Sequence, residues 1–161
     1  MLKRAIRLQP HSGIPVVKPF RSTRDLLADI EQALAKNRPS FHESPLEIVA
    51  GLLAEGRRYG WVGIYLTLEK QPAMPLLPDA AHPGNFEASG TRKKVIVTMK
   101  IAGREIGFLN VESNRENAFG ADERVLLERV AGLLARFLTG PGKYLVRKAG
   151  EPEQKPKAAA A

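Results

Sequence analysis

The stretch Val95–Ser113, VIVTMKIAGREIGFLNVES, decides the fold. Its first half, read as a strand over Lys94–Ile101, alternates. Val95, Val97, Met99 and Ile101 take one face, Ile96 and Thr98 the other. A period of two is the mark of a strand with one side on a core. Ala102-Gly103-Arg104 breaks the run with a tight turn, in which glycine takes positive φ without steric cost. Glu105–Val111 returns as the partner strand, with Ile106, Phe108 and Asn110 pointing one way and Gly107, Leu109 and Val111 the other. Two strands joined by so short a turn must pair antiparallel.

Downstream, Glu112–Gly120 (ESNRENAFG) reads as a polar loop closed by Phe119. A helix follows over about 121–138, with Asp122 and Glu123 in the first turn, where acids favour the exposed amides. Leu126, Leu127, Val130, Ala131, Leu133, Leu134, Phe137 and Leu138 form its apolar face, and Gly140-Pro141-Gly142 ends it. Upstream, Trp61–Leu68 (WVGIYLTL) is almost continuously apolar, the pattern of a central strand, and Gly63 marks a close backbone approach. Two helices precede it. Ser22 and Asp25 suggest a capping box before the stripe Leu26, Leu27, Ile30, Ala33 and Leu34, which ends near Lys36. Ser44-Pro45-Leu46-Glu47 is a fuller start signal, with Leu46, Val49, Ala50, Leu52 and Leu53 behind it and Gly56 expected to weaken the last turn. Residues 69–94 carry Pro72, Pro75, Pro78 and Pro83 and predict no helix, at most a short strand over Met74–Leu77.

The expected fold is α+β, a central antiparallel sheet with the N-terminal and C-terminal helices packed on one face. The length of 161 residues suits one domain. The division expected is a basic extended arm over 1–21, the domain over 22–140 and a basic flexible tail over 141–161, disordered from about 150. The net charge of +8 belongs to the ends: residues 1–24 hold six basic residues and no acid, whereas 25–140 are almost neutral. No apolar run approaches the 18 or so residues of a membrane span, and a cytoplasmic location is expected.

Chemistry is sparse. Without cysteine there is no disulfide, thiolate nucleophile or zinc-thiolate site. His11, His42 and His82 have no metal-ligand spacing, and no serine stands in GxSxG. No catalytic residue, metal ligand or cofactor is assigned. Arg92-Lys93-Lys94 reads either as a phosphate contact or, preferably, as charge guarding a strand mouth. Asn114-Arg115-Glu116-Asn117 is explained by turn chemistry.

Taken together, WVGIYL at 61–66, the hairpin at 95–113 and NAFGADERVLLERVAGLLARFL at 117–138 resemble the GAF domain family over roughly residues 25–138. The resemblance implies a sheet with helices on one face and, on the other, a small-molecule pocket under loops. The strand and final helix are similar to the free methionine-(R)-sulfoxide reductase branch, whose activity depends on cysteines in the lid region. This chain has no cysteine, so that activity is excluded. Its segment between first strand and hairpin is short and proline-broken, and Thr91-Arg92 stands where the family usually starts the hairpin with serine-glutamate.

The function expected is therefore a non-enzymatic GAF-like regulatory or protein-interaction domain, self-associating as a homodimer or binding a partner protein. Leu26, Ile30, Leu133 and Phe137 are the candidate interface residues, each taken singly more readily read as intradomain core. One alternative is a small-molecule sensor binding on the sheet face under residues 69–94, with Tyr65, Glu69 and Arg92 as polar candidates. The other is association with nucleic acid or an anionic surface through the basic termini.

Overall fold

The expected hairpin forms, with Arg104 already in the returning strand rather than in the turn. In a computed structural model, which describes residues 20–37, 44–67, 72–77 and 93–150, the elements are α1 (Thr23–Ala35), α2 (Pro45–Arg57), β1 (Trp61–Leu66), β2 (Met74–Pro75), β3 (Lys93–Ile101), β4 (Arg104–Ser113), α3 (Ala121–Leu138) and α4 (Lys143–Gly150). The four strands make one sheet of order β2-β1-β4-β3, antiparallel throughout. Ala102 and Gly103 both take positive φ, the geometry of a two-residue hairpin turn whose twist matches the strands. Before the turn the register shifts between Met99 and Lys100, where Ile106 of β4 is left without a partner on β3.

Registers sort the side chains into two faces. Val62, Val111 and Val95 form one cross-strand row, Ile64, Leu109 and Val97 the next, Leu66, Gly107 and Met99 the third. These rows face the helices, and Ile64, Met99, Leu109 and Val111 are fully buried. α3 covers β3 and β4, α2 lies beside β1, and α1 packs on both helices. At about 1.5–3 kcal/mol for each fully buried large aliphatic side chain, this layer dominates the favourable side of folding.

Of the two capping boxes expected, the one at Ser44 forms in full, whereas at Ser22 only the forward bond forms. The Ser44 side chain accepts from Leu46 N, and Glu47 reaches back to Ser44 N. Ser22 Oγ accepts from Asp25 N at 3.1 Å. Pro75 stands opposite Tyr65, a position whose partner bonds the other way, so its missing N–H leaves no gap; Leu76 N donates to Ile64 O at 2.8 Å.

Four expectations are revised. Gly56 is a packing residue rather than a weak point: a Cβ there would lie 2.8 Å from Leu26 Cδ2, so the missing side chain lets α1 approach α2. Leu26, Ile30 and Phe137 are buried inside the chain and offer a partner no surface, and Leu133 is half-buried against the same core. Residues 143–150, expected as flexible tail, form α4. Leu145, Val146 and Ala149 pack on the core, Gly142 lies against the Phe137 ring, and the Tyr144 hydroxyl donates to Asn37 Oδ1. The arm expected over 1–21 is also too long: Phe20 and Arg21 contact α2. The rest of the arm, and the tail beyond 150, lie outside the described residues. No helix among the described residues is long and apolar enough to cross a membrane.

Candidate functional site on the outer sheet face

Two polar constellations stand out, and they lie on opposite sides of the sheet. The first is buried. Arg57, at the last turn of α2, has a fully buried side chain, and its Nη1 lies 2.8 Å from Glu123 Oε1. Its Nη2 reaches Thr23 Oγ1 at 2.7 Å and Asp122 at 3.1 Å, and its Nε donates to Arg21 O at 2.8 Å. The Phe20 ring stacks on the guanidinium with its centroid 4.4 Å away. The Tyr59 hydroxyl donates to Glu123 Oε1 at 2.5 Å while its ring packs beside Phe119. Burial, then the hydrogen bond and charge of Glu123, push the Tyr59 hydroxyl far above the ordinary tyrosine range. Asp122 and Glu123, expected to serve the α3 amides, are thus ion-pair partners of a buried guanidinium. With its bonds directed inward, the cluster ties three helix ends together.

The second constellation has the features of a ligand site. The outward rows of the sheet are Trp61, Glu112 and Lys94; Gly63, Asn110 and Ile96; and Tyr65, Phe108 and Thr98. Tyr65 and Phe108 stack with centroids 4.9 Å apart and planes 14° from parallel. Trp61 and Tyr65 close over Gly63, where a Cβ would lie 2.9 Å from Trp61 Nε1 and 2.8 Å from Tyr65 Cε1. That is the close approach the glycine had suggested. Beside this aromatic floor stands Asn110, only 9% exposed. Its Nδ2 donates to Glu112 Oε2 at 3.4 Å, but its Oδ1 is buried with no hydrogen-bond partner among the described residues. An orphaned acceptor of that kind costs about 1–3 kcal/mol and would be relieved by a donor brought from outside.

Of the polar residues expected here, Tyr65 is on this face; Glu69 and Arg92 lie outside the described residues. Sequence reasoning missed Trp61, Phe108, Asn110 and Glu112 as site residues. The signal was present in the hairpin: Asn110 interrupts the apolar run 106–111, and Glu112 follows on the same face. Among the described residues, no three His, Asp or Glu side chains come together as a metal site.

This architecture is similar to the X-ray structure of free methionine-R-sulfoxide reductase from Neisseria meningitidis in complex with its substrate. The TM-score is 0.57 at 19% sequence identity, over 81% of this chain and 99% of that one. The fold is GAF-like. At that identity the likeness is one of fold. No protein-family model and no curated protein matches the sequence. The GAF-like sheet carries its helices on one face, and the aromatic and polar rows described above occupy the other.

Proposed function

We propose that this chain is a non-catalytic GAF-like regulatory domain that binds a small ligand on the outer face of its sheet. The observation that carries the reading is the buried Oδ1 of Asn110, which has no hydrogen-bond partner among the described residues. It lies on the face that also holds the Tyr65–Phe108 stack and the Glu112 carboxylate. A carbonyl oxygen and a carboxylate both accept hydrogen bonds, and aromatic faces attract positive charge. The ligand that suits them is small, donates N–H bonds and carries an amine or similar cation. The neighbour of the same fold was captured with its substrate, which supports the use of this fold for small molecules. Without cysteine in the sequence, the reading involves no thiol chemistry.

Thermal-shift screening against amines, amino acids and nucleosides tests it, followed by titration calorimetry. A ligand at a hundred times its Kd adds about 2.7 kcal/mol to native stability. Asn110→Leu removes the orphaned acceptor at similar volume, so the unliganded protein is expected to be as stable as the parent or more so. Its affinity for any hit is expected to fall at least tenfold. Failure of every compound to raise Tm, together with a destabilised Asn110→Leu, would overturn the reading.

A further inference from the structure

We propose that the free edge of β3 is a strand-addition site for an extended acidic peptide. Thr67 N donates to Ile106 O, and Gly60 N to Glu112 O, so the even-numbered residues of β4 bond toward β1. From Gly107 onward its odd-numbered residues therefore bond toward β3, at Val95, Val97 and Met99. By the same alternation the backbone N–H and C=O groups of Lys94, Ile96 and Thr98 point away from the sheet; beyond the register shift, Ile101 and Arg104 close the two-residue turn as a bonded pair, so those of Lys100 point away too. β3 is the last strand in the order, and no other strand pairs with these groups among the described residues. Such a row is a template for another strand.

Side chains on the same four residues choose the occupant. Ile96 is 55% exposed, more than any other large hydrophobic residue among those described. Lys94 and Lys100 flank it, both exposed and in no ion pair among the described residues. Glu112 and Glu105 stand across from them on β4, on the side away from the free edge. A second copy is the wrong partner. Antiparallel self-pairing about Val97 would set Lys94 opposite Lys100 twice, and like charges directly opposite destabilise a pair of strands. A peptide with carboxylates opposite Lys100 and Lys94 and apolar residues between them satisfies the backbone row, covers Ile96 and matches both charges. The edge lies at the opposite end of the sheet from β2 and does not depend on the ligand site proposed above.

A blocked seven-residue peptide with glutamate at both ends and alternating threonine and valine between them is the probe. It spans Lys94–Lys100 at one residue per residue. Titration by NMR is expected to slow amide exchange at Ile96 and Thr98, the two central outward positions. The same peptide with lysine ends is expected to bind about tenfold more weakly, from two cross-strand charge pairs. In a Lys94→Gln/Lys100→Gln variant that preference should shrink below twofold while circular dichroism stays unchanged. N-methylation of the two central pairing amides of the peptide should abolish binding. The proposal is overturned if the glutamate peptide does not bind at millimolar concentration. It is equally overturned if both peptides bind alike, or if the N-methylated peptide binds as well as the parent.

Discussion

Replacing Glu123 by glutamine tests how the buried cluster stabilises this fold. The side chain keeps its size and an acceptor oxygen for Tyr59, but the charge facing Arg57 is gone. Arg57 is fully buried and Glu123 is 10% exposed at the side chain, so neither is well screened by water. Breaking a buried pair costs about 3–5 kcal/mol, because the remaining ion is left uncompensated. Asp122 still lies 3.1 Å from Nη2, which places the expectation at the lower end, about 3 kcal/mol. In Tm this is a fall of about 10 °C. The neighbouring pair is the control. Asp122 is 65% exposed at its side chain, so Asp122→Asn is expected to cost about 0–1 kcal/mol. Urea unfolding followed through Trp61, the one tryptophan, measures both, with the m-value held as the check on two-state behaviour. Equal effects of the two substitutions, or a loss below about 1 kcal/mol for Glu123→Gln, would refute the view that burial decides the strength of this cluster.

Two further outcomes follow from the same physics. The Tyr59 hydroxyl has its folded-state pKa raised by burial and Glu123. Its contribution to stability is therefore complete below the unfolded tyrosine pKa of about 10 and is lost as pH rises above it. Denaturation monitored between pH 9 and 12 should show this alkaline loss in the parent and a shallower one in Tyr59→Phe. Gly107 and Gly51 should respond to alanine in opposite directions. The Tyr65 carbonyl lies where a Gly107 Cβ would go, so Gly107→Ala is expected to destabilise by about 1–3 kcal/mol. Nothing lies within 4 Å of a Gly51 Cβ in mid-helix, so Gly51→Ala should stabilise by about 0.5–1 kcal/mol in the same urea assay.

The sheet and three of its helices were legible because their causes are local. Alternation at Val95–Ile101, the Ala102-Gly103 turn and the Ser44–Glu47 box each act within a few residues. α4 escaped because eight residues that follow Gly142 and end on Gly150 hold a helix mainly through docking on Phe137 and Asn37, which sequence does not display. The Arg57 cluster escaped for a similar reason. Its partners lie 36 positions upstream at Arg21 and 66 downstream at Glu123, and first-turn acids have a sufficient local explanation. The outer-face site was half legible. Asn110 and Phe108 were correctly placed on one side, whereas Ile106, at the register shift, packs against the core; only the pairing of β4 with β1 brings Asn110 beside Gly63 and Tyr65 next to Phe108. Leu26, Ile30 and Phe137 went to the core rather than to a surface because an apolar helix stripe looks the same whether it meets a partner or its own sheet.

Arg57 also sets where the folded unit can be trimmed. Its guanidinium is held from one side by Arg21 O, Thr23 Oγ1 and the Phe20 ring, all contributed by the entry to α1. A truncation that begins at Asp25 would keep most of the α1 helix and all of the sheet yet strip these three contacts from the buried cation. Phe20 is therefore the inner limit for shortening the chain from its amino end, a stop set by one cation rather than by the hydrophobic layer.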